Sequence, residues 1–570
     1  MKLIILLKYL IYIILSNLFQ SLKVFFTSAI EYLNFKKKFN EDLKFINNLW
    51  KIRFKFESND KYIVTDIYDD SSLYCYNLLT HAKKIQKIKK LPIIIFDKNF
   101  SFIKNFFYKS FEINNVVYLN SFFFSILIII KNFKIILNEF NKIYKINSTN
   151  DLSYNYKDIE ISNIAYDDYL RFNLSGTVEN LNKFKFYILK TLLISIKINY
   201  LFDNKRIGCF AGKENQFSPR ANLFQYILKR KCISYLFVGP VNISSVRKYK
   251  RFSQRSIPRT YINKRFYLYA FSKRENFIKK AKHILDKKFL SEFNENEFLD
   301  AKYVFSKKHH NLSKDELCKK LKLDNQKKLI IVFSHNVYDG VFEIRRKLFI
   351  DNFIWLKETL NILSRNPDIN VLVKKHPTEF SIKSIKDISL RAIDEIPDLK
   401  YNNIKLYPES LSPQFIKENA HCIVTGHGTA GIEYACYGIP SVSCNNSPYS
   451  YCKTSYEAKN YTQYENFLKN IDKLTSLNNN QIEKSLVLFF LTHSLDKNKN
   501  DFFDTLPDFH PSELVGFQKS FEYRFLEKIF IKLRKITKVE ETDIYQKYLN
   551  FLTHNHYSMY DTNKLKIKDK

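Results

Sequence analysis

The stretch 421–440, HCIVTGHGTAGIEYACYGIP, constrains the fold more than any other part of the chain. Cys422 to Thr425 are apolar or small and read as a buried strand, which breaks at Gly426-His427-Gly428-Thr429. Ile432, Ala435 and Cys436 then fall at i, i+3 and i+4, one apolar face of a helix that Gly438-Ile439-Pro440 stops before a short strand at 441–443. A strand, a glycine loop, a helix and a second strand make a unit of parallel sheet. Such a loop can aim backbone N–H groups and the positive end of a helix at an anion. Thr429 and Glu433 are one turn apart on the same helix face, a hydroxyl for a phosphate oxygen and a carboxylate for ribose hydroxyls. The same pattern also serves as a plain strand–turn–helix of any α/β domain, since short glycine loops are weak motifs.

The alternation extends along the chain. Strands are expected at 62–65, 92–96, 207–210 and 233–238, with helices at 71–88, 180–198 and 221–229. It restarts with KLIIVF at 328–333, a helix at 347–363, strands at 370–374 and 404–407, and a helix at 413–419. Two βαβ arrays in series predict an α/β protein with two parallel sheets and ligands at the carboxyl ends of the strands. At 570 residues the chain exceeds one core. The reading divides it into an apolar and basic N-terminal helix at 1–45, a first domain at 46–295, a second at 296–500 and a helical extension at 501–570, with helices at 511–536 and 540–552. The approximate boundary is Asn294-Glu295-Asn296.

Residues 1–26 are almost wholly apolar, interrupted by Lys2, Lys8 and Lys23 and followed by Lys36-Lys37-Lys38. No small-residue cleavage site is evident, so a removed signal peptide is not expected. The charge-free run 9–22 is shorter than the ~20 residues of a spanning helix. An interfacial helix and a first helix packed on the body both fit. A second apolar run, 116–130, reads as core. Segment 242–265 carries a series of lysines and arginines and reads as a long basic loop.

The formal charge is +35, which invites nucleic acid, anionic lipid or a polyanionic substrate. Abundant Lys, Asn, Ile, Phe and Tyr beside only 10 Gly, 2 Met and 2 Trp is the pattern of an AT-rich genome, which accounts for the charge better than any partner does. The eight cysteines show no CxxC and no His-paired spacing, so a reduced, cytosolic compartment and no zinc site are expected.

Three expected strand ends carry polar loops. Ser334-His335-Asn336-Val337-Tyr338-Asp339-Gly340 follows KLIIVF, Lys374-Lys375-His376-Pro377 follows NVLV, and Thr425-Gly426-His427-Gly428-Thr429 follows the third strand. Lys375 and His376 suit a nucleotide phosphate, and Pro377 fixes their loop. His335 could neutralise or protonate a departing phosphate oxygen, and Asp339 could orient it or act as a base. Each has a dull reading alone; their joint placement favours a ligand.

The pairing of Lys375-His376-Pro377 with TGHGTAGIEY at 425–434 and Gly438-Ile439-Pro440 resembles the bacterial capsule polysaccharide biosynthesis glycosyltransferases. These are two-Rossmann-domain (GT-B) enzymes similar to Kdo and sialic acid transferases, and more distantly to non-hydrolysing sugar-nucleotide epimerases and polyol-phosphate polymerases. The resemblance covers 328–446 and is faint in the first half, at Asp66 with Ser71-Ser72-Leu73 and at Tyr166-Asp167 to Arg171. It implies two Rossmann-like domains facing a cleft and an inverting transfer without a metal at the nucleotide. The nucleotide-sugar donor is then a substrate rather than a cofactor. His376, Gly428, Thr429 and Glu433 would hold the nucleotide, and the first domain would supply the base, with Asp66 and Asp167 as candidates. The basic segment 242–265 and the C-terminal extension have no counterpart in it.

The leading expectation is therefore a glycosyltransferase of capsule or surface-polysaccharide assembly, cytoplasmic and peripheral at the inner membrane face. Its catalytic candidates are His335, Asp339 and Asp66; its substrate-binding candidates are Ser334, Lys375, His376, Pro377, Thr425, Gly426, His427, Gly428, Thr429 and Glu433. The partners are a nucleotide-sugar and a polysaccharide or glycolipid acceptor, with no metal and no nucleic acid. A CDP-glycerol-like polyol-phosphate transferase or a sugar-nucleotide epimerase is the enzyme alternative. A basic nucleic-acid-binding protein is the other class, against which stands the lack of any helix-turn-helix, zinc or RNA-module signature. A catalytically dead scaffold is opposed by the intact His376, Thr429 and Glu433.

Overall fold

The computed structural model describes residues 2–57, 60–68, 71–203, 205–213, 215–238, 243–257, 262, 264–290, 311–338, 340, 348–381, 387–396, 402–444, 447, 449, 452–495, 498–499, 519–554 and 558–559. Their architecture follows from two sets of short apolar strands. The first set is β1 (Lys61–Ile67), β2 (Ile93–Asp97), β3 (Val116–Tyr118), β4 (Arg206–Gly212), β5 (Ile233–Val238) and β6 (Ile243–Tyr249). The second is β7 (Lys328–Phe333), β8 (Ile369–Lys374), β9 (Ile404–Leu406), β10 (Cys422–Val424), β11 (Ser441–Ser443) and β12 (Ser455–Glu457), and a two-residue β13 (Asn498–Lys499) follows. Every residue of β2 is buried, as are the last five of β1. Runs covered on both faces in this way belong to parallel sheets flanked by helices.

The first sheet has the order β13-β6-β5-β4-β1-β2-β3 and the second β12-β11-β10-β7-β8-β9. Pairing is parallel throughout the second sheet. Strand order reverses between β7 and β10 there, and between β1 and β4 in the first. These are the switch points at which doubly wound sheets open a crevice beyond the strand ends. The fold is thus two Rossmann-like units, as the alternation predicts.

Local chemistry sets the helices. After α1 (Lys2–Trp50), α2 (Ser72–Lys89) starts where the Ser71 hydroxyl accepts the Tyr74 N–H. Next come α3 (Phe102–Ser110), α4 (Phe122–Lys131), α5 (Phe133–Tyr144), α6 (Ile161–Asn173) and α7 (Leu181–Phe202), the last opened by the Asn180 amide oxygen accepting from Lys183 N–H; α8 (Arg220–Lys229) completes the first unit. The two ends of the chain pack together. Phe35, Phe39, Leu43, Ile46 and Trp50 of α1 share a core with Phe525, Leu526, Ile529 and Phe530 of helix Lys519–Leu533 and with Tyr548 of helix Asp543–Thr553. The Tyr548 hydroxyl lies 2.7 Å from His81 Nδ1 on α2, so the C-terminal helices belong to the first unit's wall.

Two expectations are corrected. Segment 242–265 is not a long loop: β6 pairs antiparallel with β5, and a 3-10 turn at Phe252–Ser256 follows. Two of its cations turn inward. Arg247 is 1% exposed, and Lys248 Nζ donates to the carbonyls of Phe551 and His554 at 2.9 and 2.7 Å, at the end of a helix that favours a positive charge. Burial holds the Lys248 amine down at about 8. The run 116–130 is not core throughout either, because Phe123 and Ile130 of α4 are 82% and 70% exposed. The 294–296 boundary lies outside the described residues, as do 511–518 of the expected tail helix. All eight cysteines are free thiols, seven of them buried.

Phe39, 1% exposed, lies 5.3 Å from the Phe530 ring and 5.7 Å from Tyr523, tying α1 to the C-terminal helices. Phe39→Ala is expected to cost about 3–5 kcal/mol of stability, read as a lower urea midpoint at unchanged slope.

Candidate functional site

The reversal between β7 and β10 sets two strand ends side by side, and His335 bridges them. It follows β7 directly, and its Nε2 accepts the backbone N–H groups of Gly426 at 2.9 Å and His427 at 3.3 Å. The Thr425 hydroxyl lies 3.0 Å from the same nitrogen. Donors converging on Nε2 require the neutral ring with its proton on Nδ1. Burial, with His427 and His376 nearby, holds its pKa well below the usual histidine range. His427 stacks on it at 4.4 Å with the rings 8° apart, and Trp355 meets its edge at 5.2 Å. His335, expected to neutralise or protonate a departing oxygen, has its Nε2 occupied as an acceptor and so has no proton to give on that face.

The glycine loop is likewise satisfied from within. The Gly428 N–H donates to Thr425 Oγ1 at 3.0 Å, so the amides of Gly426, His427 and Gly428 all face protein acceptors rather than an open anion site. A Cβ on Gly428 would stand 2.8 Å from Thr425 Oγ1 and 3.1 Å from the His335 ring, so no side chain fits.

His376 lies on the neighbouring strand end. Its N–H donates to Ser334 Oγ at 2.7 Å and to Glu379 Oε1 at 3.2 Å, and Ser334 Oγ in turn donates to Glu379 at 3.0 Å. Glu379 also accepts the N–H and the hydroxyl of Ser389, at 3.0 and 2.8 Å. Ser334, expected to touch substrate, instead holds the loop. The Thr378 N–H and hydroxyl both meet His376 Nδ1, at 3.3 and 2.8 Å, which places the ring proton on Nε2. Burial lowers its pKa to about 4. His376 is therefore a neutral N–H donor with fixed orientation. Pro377, directly after it, lacks an N–H and leads into the short turn Thr378–Ser381.

The charged candidates are engaged elsewhere. Lys375 Nζ sits 2.9 Å from Asp387 and 3.6 Å from Glu409. Burial alone would lower its pKa, but these carboxylates outweigh it and the amine is raised. Lys374, the first residue of the same expected loop, packs 4.2 Å over the Tyr407 ring and is lowered to about 8 by burial. Glu433 is 6% exposed and pairs with Lys288 at 2.7 Å, with His493 3.8 Å away. Burial would raise its carboxyl, yet Lys288, His493 and a hydrogen bond from Thr429 bring it below the usual range. Among the described residues no three His, Cys, Asp or Glu side chains group closely enough to hold a metal ion.

In the first unit, Asp66 ends β1 fully buried, and its Oδ2 accepts Arg220 Nε–H at 2.9 Å beside Tyr68. Asp167 is buried on α6. Asp168, its unforeseen neighbour, accepts the Ser218 N–H at 2.9 Å, and burial raises it to about 7. Asp339 lies outside the described residues. The two units meet here. Arg171 lies 5.4 Å from both the Phe217 ring and the Tyr338 ring, Tyr166 donates to Asp351 at 2.7 Å, and Gly340 sits so close to Gln216 that a Cβ would overlap the amide. Sequence reasoning missed Glu379, whose signal was its place three residues after His376 beyond a proline. It also missed Lys288 and Arg220, which only the fold brings to Glu433 and Asp66.

No protein-family profile and no curated protein matches the chain. Among solved structures it is similar to a glycosyltransferase from Rickettsia africae, at 13% identity over 84% of this chain and 100% of that one, with a TM-score of 0.24. KpsC of Thermosulfurimonas dismutans, a beta Kdo 2,4 transferase, gives 12% identity over 51% and 80%, at a TM-score of 0.29. MnaA of S. aureus with UDP gives 11% over 75% and 91%, at 0.23. At such scores the function rests on the geometry of the site itself.

The histidine at 376 has a folded pKa depressed to about 4 from an ordinary 6.5. The unfolded chain thus binds a proton that the folded chain refuses between those values, so stability rises with pH there. The stability present above pH 6.5 should be lost as pH falls toward 4. His376→Gln should reduce that loss in urea titrations at pH 7, 5.5 and 4.5, leaving the part in the same direction that His335 contributes.

Proposed function

We propose that the protein is a glycosyltransferase that binds a nucleotide-sugar at the β7–β10 switch point of the second unit and an acceptor at the strand ends of the first. The observation that carries this reading is the His376 ring. Its tautomer is fixed by Thr378, its backbone is held by Ser334 and Glu379, and its Nε2–H has no protein acceptor among the described residues. A rigid neutral donor beside a switch-point crevice suits a phosphate oxygen without adding a charge to be desolvated. The strand-end resemblance supports the same assignment.

In this reading the acceptor hydroxyl attacks the anomeric carbon as the bond to the nucleotide phosphate breaks. The bonding pair leaves on the phosphate oxygen, where the His376 N–H stabilises it. A carboxylate of the first unit takes the hydroxyl proton, with Asp66 and Asp167 as the candidates. His335 acts as a positioning residue for the 425–429 loop. Glu433 contacts ribose only by exchanging Lys288 for it. The acceptor is a growing surface polysaccharide or a lipid-linked saccharide, and the protein works at the inner membrane face.

Thermal-shift titration with CMP, CDP and UDP tests this. One nucleotide at a hundredfold excess over its Kd should stabilise the protein by about 2.7 kcal/mol. His376→Ala should weaken that nucleotide roughly 10–100-fold, the worth of a hydrogen bond to a charged group. Absence of any shift, together with tight and salt-sensitive DNA binding, would overturn the proposal in favour of a nucleic-acid-binding protein.

A further inference from the structure

Helix α1 carries two apolar stripes rather than one. The first, Leu6, Leu10, Ile13 and Asn17 and then Phe35, Phe39, Leu43, Ile46 and Trp50, is buried against the first unit along the length of the helix. The second runs Ile4, Leu7, Ile11, Leu15, Phe19, Leu22, Phe26, Ile30 and Leu33, and every one of these is exposed, Ile30 and Leu33 to 75% and 71%. Its steps are all three or four residues, one helical turn each. Neither solubility nor the core requires such a stripe, and it stops just before Lys36-Lys37-Lys38.

The stripe continues onto a neighbour. Helix α4 packs beside α1 and exposes Phe123, Leu127 and Ile130 at i, i+4 and i+7. The margins of this face are cationic. Residues 2–38 hold six lysines (2, 8, 23, 36, 37, 38) against the single Glu31, and Lys131 ends α4 and Lys134 follows it, with no acidic residue between 122 and 134. Among the described residues α1 is the one helix long and apolar enough to cross a membrane. Its 49 residues would reach about 74 Å, more than twice the ~30 Å of a bilayer core, and its inner stripe is committed to protein throughout. A helix bound in this way lies flat.

Behind the same helix is a cavity of about 460 Å³, lined by Gln20, Lys23 and Thr27 of α1, by Lys98 and Asn99 after β2, and by Glu522. It opens at the carboxyl ends of β1 and β2, the end of the sheet where Asp66 and Arg220 lie. Its amides, hydroxyls and mixed charges, three lysines beside Glu31 and Glu522, match the polar head of a lipid. We propose that α1 and α4 form one face that lies in the headgroup region of an anionic bilayer, and that the cavity behind α1 receives the polar head of a lipid drawn from that bilayer. This deepens the proposed acceptor side and rests on that reading only for the head's role as acceptor.

The test is flotation of the full chain with phosphatidylcholine vesicles, with and without 30% phosphatidylglycerol, about that fraction being enough to give an anionic surface. Binding should be at least tenfold tighter to the anionic vesicles. Phe123→Ser with Ile130→Ser, both exposed and remote from the crevice, should weaken it about tenfold while Tm and the nucleotide shift stay unchanged. Native mass spectrometry should find phosphatidylglycerol retained by the wild type and lost from Thr27→Trp, which fills the cavity and should still float. Binding indifferent to the α4 substitutions or to lipid charge would overturn the membrane face, as would a dimer in solution that ignores vesicles. Equal lipid retention by Thr27→Trp would overturn the cavity. Nucleotide binding is read independently, so failure of the transferase reading is distinguishable from failure of this one.

Discussion

The acceptance of two backbone N–H groups by His335 Nε2 is the contact on which the crevice depends. It spans the switch point, joining the end of β7 to the loop after β10, and it works only while the ring is neutral. Burial secures that state, and His427 stacked on one face adds a second ring that also opposes a positive charge. The neighbouring loop repeats the device with different parts. Glu379 gathers Ser334, the His376 N–H and Ser389, and Thr378 fixes a second imidazole with its proton on Nε2. Preorganisation of this kind concentrates the cost of ordering the loops into folding, so that a ligand does not bear it on binding.

Charge is distributed differently from the way a bare count suggests. A formal +35 invites a picture of a polyanion groove, yet the cations nearest the structural centre are paired or turned inward. Lys375 faces Asp387 and Glu409, Lys288 faces Glu433, Arg220 faces Asp66, and Lys248 faces helix carbonyls. What remains exposed in a coherent pattern is the apolar stripe of α1 and α4 with lysines at its margins. A local excess of lysine and an exposed apolar surface therefore meet beside the strand ends of the first unit.

Much of the fold was legible because parallel strands announce themselves. KLIIVF at 328–333 and ISYLFV at 233–238 are too short for helices and too apolar for edges, and their bounds agree with the structure to the residue. The helix starts expected at Ser71 and Asn180 agree with the structure to within a residue, where both side chains prove to be caps. Segment 242–265 misled because the abundance of lysine and arginine hid an alternation, ISSVRKY, that pairs on β5. The run 116–130 misled in the opposite direction. Apolar composition predicts burial in a water-soluble body, but it carries no information on which face of α4 meets protein.

The sequence by itself determined where the polar loops fall, since strand ends, glycines and prolines are local features and the order of βαβ units follows from them. It therefore placed Ser334, His335, His376 and Thr425–Thr429 at one edge of one sheet. Only the tertiary structure decided what each of them does. Hydrogen-bond roles depend on partners distant in the chain: His335 lies some 90 residues before the amides it accepts, and Lys288 lies 145 residues before Glu433. Protonation depends on burial, which is a property of the packed whole. For this reason a histidine expected to act as an acid is instead a neutral acceptor, and the glycine loop expected to hold an anion is held by a ring.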